Sequence, residues 1–136
     1  MIKVDNLSKT YDRRSKSANQ ALYDISFTLP DTGFVCIVGP SGCGKTSLLN
    51  AIGGLDTFDG GRVSTENLDS LRCGSRQTEA GRNRSFGYVF QNYYLLPEYS
   101  AAYNVYLGLH SVELSHKEKM QRVMEALRAV DMERFA

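Results

Sequence analysis

The chain has 136 residues, an apolar fraction of 42% and a charged fraction of 23%, values that fit one globular domain and exclude a collagen-like, disulfide-scaffold or wholly disordered chain. Sixteen Lys and Arg against fifteen Asp and Glu give a net charge of +1, so no overall charge attracts nucleic acid or acidic membranes. Three cysteines at scattered spacings are typical of reduced thiols in a cytosolic protein. The apolar runs fall far short of the roughly 20 residues that span a bilayer, so a membrane role requires a partner protein.

The N-terminal segments are predicted to form strands separated by polar turns. Met1 to Tyr11 contains a short strand, a turn at Asp5-Asn6 and a second extended stretch, and a polar loop follows from Asp12 to Gln20. Ala21 to Leu29 then alternates between apolar and polar residues, which predicts a half-buried strand of an antiparallel sheet. Its predicted apolar face consists of Tyr23, Ile25, Phe27 and Leu29.

The next segments have the order strand, glycine loop and helix. Phe34 to Val38 is a continuous apolar run, the pattern of a strand buried on both faces. Gly39 to Gly44 form a glycine-rich loop. Lys45 to Ile52 carry apolar residues at helical spacing, and Gly53-Gly54 are predicted to end this helix.

The second half combines polar loops with three further predicted elements. Leu55 to Arg84 is polar and turn-rich, with a short strand predicted at Arg62-Val63-Ser64. A strand is predicted from Ser85 to Phe90, an aromatic-rich loop from Gln91 to Ser100 and a helix from Ala101 to Leu109.

The last predicted helix begins with a capping box formed by Ser115 and Glu118. Its apolar stripe consists of Met120, Val123, Met124, Leu127 and Val130, and these are predicted core residues. His110 and His116 are isolated, so we expect surface or partly packed histidines rather than metal ligands. Two local basic excesses are predicted to be solvated loops; they consist of Arg13, Arg14 and Lys16, and of Arg72, Arg76, Arg82 and Arg84.

The segment Gly39 to Thr46 (GPSGCGKT) matches the phosphate-loop pattern G-x-x-x-x-G-K-[ST] at every fixed position. Glycines permit positive φ and bring successive backbone N–H groups around phosphate oxygens, and the following helix adds its unpaired N–H groups. Lys45 would place a positive charge against the β- and γ-phosphates, and the Thr46 hydroxyl would help to hold Mg²⁺. A plain glycine turn between strand and helix needs no lysine at this position, so the motif predicts nucleotide binding.

Further segments resemble the first half of the ATP-binding subunit of an ABC transporter. Leu22 to Phe27 (LYDISF) is similar to the family's strand before the phosphate loop, and Phe90-Gln91-Asn92 is similar to its Q-loop. Leu95-Leu96-Pro97, followed by Asn104-Val105, continues the pattern. The resemblance covers nearly the whole chain and is nearest to exporters of the lipoprotein-release and antimicrobial-peptide type.

This resemblance implies an α/β P-loop nucleoside triphosphate hydrolase core, incomplete here, with an antiparallel β region, and makes residues 1–136 the N-terminal part of an ABC-type ATP-binding domain. It implies ATP and Mg²⁺ as cofactors and a membrane permease subunit or domain as partner. It further implies a dimer of ATP-binding domains in the complete protein, no nucleic acid, and a cytoplasmic, peripheral location at the inner face of the cell membrane.

The resemblance also assigns site residues. Tyr11 matches the aromatic residue that stacks on adenine in the family, and Gln91 matches the glutamine that reaches Mg²⁺ and the attacking water. Gln91 is thus the predicted catalytic residue, and Thr46 and Gln91 are the predicted metal ligands. The predicted nucleotide-binding residues are Tyr11, Gly39, Pro40, Ser41, Gly42, Cys43, Gly44, Lys45, Thr46 and Ser47. Other interpretations are a packed strand aromatic at Tyr11 and an ordinary polar loop residue at Gln91.

The chain departs from the family pattern in several places. Tyr103 stands where the family usually has a glutamate, and the 136 residues contain no LSGGQ signature, no apolar run ending in Asp-Glu and no suitably placed switch histidine. The sequence therefore resembles a truncated subunit, which we expect to self-associate and to hydrolyse ATP negligibly by itself. A soluble ABC-type ATPase and a non-catalytic nucleotide-binding fragment remain alternatives to a transport ATPase.

Overall fold

A computed structural model of the protein describes residues 1–65 and 86–136. These residues belong to two compact units, Met1–Phe86 and Gly87–Ala136. The first unit contains β1 (Ile2–Tyr11), β2 (Asn19–Leu29), α1 (Lys45–Ile52) and β3 (Gly60–Thr65). The second contains α2 (Ala101–Leu107), α3 (His116–Ala129) and a short 3-10 helix (Glu133–Phe135). Cys73, the second basic excess and Ser85 lie outside the described residues.

The first unit is built on an antiparallel sheet with the strand order β2-β1-β3. Side chains of all three strands pack with the end of α1 in one apolar cluster, formed by Val4, Leu7, Leu22, Ala51, Ile52 and Val63. The antiparallel strand predicted from Ala21 to Leu29 is confirmed within β2, and α1 has the predicted bounds. The three N-terminal segments predicted as strand, turn and strand form one continuous strand, β1.

Two facing irregularities set which side chains of β1 and β2 reach the core. Asn6 in β1 and Asp24 in β2 both have φ of 49°, and the strand register shifts beside each of them. The Asn6 side-chain amide donates a 2.7 Å hydrogen bond to the Asp24 carboxylate, which joins the two irregularities. Each shift interrupts the alternation of side chains along its strand.

The interruption at Asp24 makes one predicted face wrong. Leu22 is buried and Ile25 packs against the same core. The two residues are three positions apart, and a regular strand would place them on opposite faces. Tyr23 is consequently 73% exposed, although strict alternation from Ile25 places it on the apolar face. The sequence pattern did not reveal the positive φ at Asp24.

Two predicted strands are absent from the described residues. Phe34 to Val38 form no strand, and the side chains of Phe34 and Val38 are 92% and 81% exposed. Residues 86–90 likewise form no strand, and Val89 is exposed. Both predictions are wrong because a strand that is apolar on both faces needs paired neighbours, and in residues 1–65 and 86–136 the ladders join only β1, β2 and β3.

The second unit follows the local signals of its sequence closely. The Ser115–Glu118 capping box is present at the start of α3, and Val123 and Leu127 are buried. Ser100 accepts a hydrogen bond from the Tyr103 N–H and so caps α2. α2 ends at Leu107 rather than the predicted Leu109, and Val130 is exposed because it lies just past the end of α3.

We expect Leu7→Ala to destabilise the first unit by about 2–5 kcal/mol, because Leu7 is fully buried in β1 and its truncation leaves a cavity. Urea denaturation measured by circular dichroism checks this value. Leu49→Ala is the matched control: Leu49 is 55% exposed on α1, and we expect its loss to change the midpoint little. Equal losses for the two variants would contradict the described core.

Candidate phosphate-binding site

The glycine loop passes directly into α1. The Cys43 N–H donates a 3.4 Å hydrogen bond to the Pro40 carbonyl and so closes a turn within the loop. Gly44 is the N-cap of α1 and adopts a left-handed conformation with φ of 92°. Its carbonyl accepts the first helical hydrogen bond, from the Leu48 N–H at 2.8 Å. The loop therefore ends at a helix N-terminus, as the motif predicts.

Gly44 must be glycine for two reasons. Its φ is one that side chains disfavour, and a Cβ at this position would lie 2.5 Å from the Ala21 carbonyl oxygen in β2. The loop backbone thus approaches the backbone of β2 more closely than any other residue would permit. This contact fixes the end of the loop against the sheet.

The start of α1 is open to an anion. Ser100 and Ser115 cap α2 and α3 with their hydroxyls, whereas Gly44 supplies no side-chain cap to α1. The first turn of α1 also contains no acidic residue. Free N–H groups and the positive end of the helix dipole favour a phosphate group at this position. The residues present therefore fit the phosphates of a nucleotide.

The Lys45 ammonium lies against the loop. It donates hydrogen bonds of 2.9 Å and 2.7 Å to the carbonyls of Gly39 and Pro40, and it is 3.6 Å from the Cys43 sulfur. All three partners belong to the loop itself. The positive charge thus stands beside the backbone that would surround a phosphate, and the exposed Thr46 follows it on α1.

Tyr11 reaches α1 from the end of β1. Its hydroxyl lies 3.2 Å from the Ser47 hydroxyl and donates a 2.9 Å hydrogen bond to one carboxylate oxygen of Asp56. Lys9, two residues earlier on β1, donates a 3.0 Å hydrogen bond to the other oxygen of Asp56. The predicted residues Tyr11 and Ser47 are therefore in direct contact, and Tyr11 is also held by Asp56, a residue that the sequence did not indicate.

Lys9 is a buried cation with several acceptors. Only 7% of the residue is exposed, and its ammonium also donates to the carbonyl of Thr57 at 2.7 Å and to the Thr57 hydroxyl at 3.2 Å. Burial raises the pKa of the Asp56 carboxyl, but hydrogen bonds from Lys9, Tyr11 and the Thr57 N–H, together with the Lys9 charge, outweigh it. The net pKa of Asp56 lies below its ordinary value, so the carboxylate is ionised at neutral pH.

The sequence signal for the ion pair between Lys9 and Asp56 was the position of Lys9 in the strand. It stands between Leu7 and Tyr11 at a spacing of two residues, on the inward side of a strand. A lysine at such a position needs an acidic partner, because a buried charge is costly when unpaired. Asp56 lies 47 residues away, so no local pattern identifies it.

Gln91 lies in the second unit, whereas Tyr11 and the loop residues lie in the first. It is exposed and begins a turn in which Tyr93 and Tyr94 have φ of 56° and 52°. The Phe90 ring meets the Tyr94 ring edge-on at 5.0 Å. The turn after Gln91 therefore keeps a defined shape with its aromatic side chains outward.

Asn104 has a role that the sequence did not indicate. Its side-chain oxygen accepts a 2.8 Å hydrogen bond from the Leu96 N–H, and its amide donates 3.0 Å hydrogen bonds to the carbonyls of Leu96 and Ser100. The loop before α2 is thereby fastened to the helix. Tyr103, the departure from the family pattern, stacks on the Tyr99 ring at 4.4 Å.

Residues 1–65 and 86–136 contain no cluster of three or more His, Cys, Asp or Glu side chains that could hold a metal ion. Within the same residues, Cys36 and Cys43 are exposed free thiols. His110 and His116 are exposed, as predicted. None of the described helices is long and apolar enough to cross a membrane.

The glycine loop is followed by a helix without a side-chain cap, and the first turn of that helix contains a lysine. These features define a P-loop protein. The chain belongs to the ABC transporter family, because residues 22–136 match the sequence pattern of that family. It is 36% identical over 132 residues to the uncharacterised ABC transporter ATP-binding protein YvrO of Bacillus subtilis, covering 97% of this chain and 57% of that protein. It is 37% identical over 127 residues to the lipoprotein-releasing system ATP-binding protein LolD of Bacteroides thetaiotaomicron, covering 93% and 56%.

A solved structure supports the same family. The chain superimposes with a TM-score of 0.83 and 34% identity on the ATP-binding cassette MJ0796, solved as a dimer bound to ADP and Pi, covering 100% of this chain and 60% of that one. The predicted resemblance to an ABC transporter ATP-binding subunit and the predicted P-loop fold class are therefore confirmed. The chain spans about half the length of the curated relatives it matches.

We expect Lys45→Ala to abolish binding of MgATP in isothermal titration calorimetry. The Lys45 ammonium is the cation that lies against the loop carbonyls, and charge-assisted contacts to phosphate are among the stronger polar interactions. Lys3→Ala is the control, since Lys3 is an exposed residue of β1 that pairs with Asp5. Unchanged ATP affinity in Lys45→Ala would remove the loop from the nucleotide site.

Proposed function

We propose that the chain binds ATP with Mg²⁺ as the N-terminal part of an ABC-type ATP-binding domain. In the whole protein, ATP hydrolysis would then power transport through a membrane permease. The observation that carries this proposal is the loop from Gly39 to Gly44, which ends at an uncapped helix N-terminus with Lys45 held against it. Membership of the ABC transporter family supports the same reaction class.

The loop and α1 would bind the phosphates. Backbone N–H groups of the loop and of the first turn of α1 surround phosphate oxygens, and Lys45 supplies the positive charge. The Thr46 hydroxyl would hold Mg²⁺, which neutralises charge on the β- and γ-phosphates when it is bound. Gln91 would contact the metal and orient water in the complete protein. These roles are those that the family resemblance assigns to the matching positions of this chain.

Tyr11 would bind the adenine base. Its ring lies at the end of β1, and its hydroxyl is within hydrogen-bond distance of Ser47 in the first turn of α1. An aromatic ring beside the phosphate-binding helix is suited to stack on the base of the same nucleotide. The half-buried position of Tyr11 leaves part of the residue accessible to a ligand.

The permease would contact the aromatic turn after Gln91. Tyr93, Tyr94 and Leu95 are all exposed, and adjacent exposed apolar side chains mark interaction surfaces. The relatives include the taurine import protein TauB of Rhizobium johnstonii as well as a lipoprotein-releasing protein. We propose the permease partnership, a dimer of ATP-binding domains and a location at the inner face of the membrane for the whole protein.

We expect Tyr11→Ala to weaken ATP binding by about 1–3 kcal/mol, the range that stacking of a base on an aromatic ring contributes in other proteins. Binding of inorganic tripolyphosphate should stay unchanged, because that ligand has no base. Calorimetric titration with both ligands measures the difference.

Tyr23→Ala is the control for this experiment, since Tyr23 is an exposed tyrosine of the same unit. An equal loss for ATP and tripolyphosphate in Tyr11→Ala would contradict the adenine contact. It would instead assign Tyr11 to the support of the phosphate loop.

A further inference from the structure

The Asp56 carboxylate binds two side chains that lie on the same face of β1. One of its oxygens accepts the 3.0 Å hydrogen bond from Lys9, and the other accepts the 2.9 Å hydrogen bond from Tyr11. Lys9 and Tyr11 are two residues apart on the strand, so both side chains project to the same side. A single carboxylate therefore controls the relative position of an ammonium and an aromatic ring.

The ammonium also covers one face of the ring. The Lys9 nitrogen lies 4.8 Å from the centroid of the Tyr11 ring, within the range of a cation–π contact. Lys9 is buried and is held by Asp56 and Thr57, so it does not leave this face readily. A base that stacks on Tyr11 is left with the opposite face.

The tyrosine hydroxyl connects this arrangement to the phosphate loop. Its 3.2 Å approach to the Ser47 hydroxyl fixes the far end of the ring beside the first turn of α1. Two partners at the hydroxyl and a cation at one face leave the ring little rotational freedom. A ring that is already fixed loses less conformational entropy when a base stacks on it.

We propose that Asp56 is a positioning residue for base recognition, which holds Lys9 and Tyr11 together so that the Tyr11 ring presents its one remaining face to adenine. This inference rests on the proposed contact between Tyr11 and the base. Asp56 itself touches no part of the nucleotide. It acts through the tyrosine, and the phosphates are bound independently of it by the loop and Lys45.

The test is a double-mutant cycle with Tyr11→Phe and Asp56→Asn, titrated with ATP and with inorganic tripolyphosphate. Asparagine can keep the oxygen that accepts from Lys9 and replaces the oxygen that accepts from Tyr11 with an amide group. Tyr11→Phe keeps the ring and removes only the hydroxyl that bonds to Asp56, so this variant preserves the packing of β1. We expect each single variant to weaken ATP binding by roughly two- to tenfold, the scale of one net hydrogen bond. The double variant should lose no more than either single variant, because both changes release the same ring.

Tripolyphosphate affinity is the internal control for the fold and the phosphate loop, and it should remain unchanged in all three variants. Tyr23→Phe, at an exposed position, and Asp5→Asn, at a half-buried one, are matched controls in the same sheet, and we expect them to bind ATP as the unaltered chain does. Asp5 bonds to Lys3 and has no contact with Tyr11 among the described interactions.

Three results would overturn the positioning role: unaltered ATP affinity in Tyr11→Phe, additive losses in the double variant, or an equal loss of tripolyphosphate binding in Asp56→Asn. Tyr11→Ala separates this failure from failure of the proposed function. If Tyr11→Ala loses ATP affinity while Tyr11→Phe does not, the base contact stands and the positioning role of Asp56 falls. If Tyr11→Ala binds ATP normally, the base contact itself is wrong.

Discussion

The buried positive charge of Lys9 has to be paired within the first unit, and its hydrogen-bond acceptors determine how the helix α1 meets the sheet. Lys9 is on the central strand β1 and is almost fully buried. An unpaired charge at such a position costs several kcal/mol, whereas Asp56 and Thr57 provide it with three acceptors. Both residues follow α1 closely in the chain. The need to pair one buried cation therefore ties the segment after α1 to the centre of the sheet.

The other end of α1 is held by contacts of a different kind. Gly44 approaches the Ala21 carbonyl of β2 so closely that a side chain would clash, and Ser47 lies within hydrogen-bond distance of the Tyr11 hydroxyl. Because α1 is fixed at both ends, the loop before it has one position relative to the sheet. That position leaves the uncapped N-terminus of α1 and the Lys45 charge at the same place, which is the requirement for binding a phosphate group.

Local sequence signals predicted the parts of the structure that depend on few residues. The glycine motif specified a loop followed by a helix, and α1 has the predicted bounds because Gly44 and Gly53 mark its two ends. The Ser115–Glu118 capping box is likewise a contact within four consecutive residues, and it is present. The antiparallel character of β2 followed from its alternation, whereas its pairing with β1 did not. The site residues of the loop were identified by the same motif, although their roles toward a ligand remain proposals.

Features that depend on residues far apart in the chain could not be predicted from local sequence patterns. Phe34 to Val38 has the composition of a buried strand, but composition does not supply the neighbouring strands that would cover it. Tyr23 faces away from the core because of the backbone conformation of Asp24, which alternation alone does not encode. Asp56 lies 47 residues from Lys9 in the chain, so only the structure identifies it as the partner of Lys9 and Tyr11.

The most direct test of this account is residue-resolved amide hydrogen exchange in a Lys9→Met variant. Methionine keeps an unbranched apolar stem that ends one atom short of the lysine nitrogen, and it cannot donate to Asp56 or Thr57. We predict that exchange of the α1 amides from Leu48 to Ile52 becomes faster, while the amides that pair β1 with β2 keep their protection. Unchanged protection of α1 in this variant would contradict the claim that the buried Lys9 charge holds the C-terminal end of the helix against the sheet.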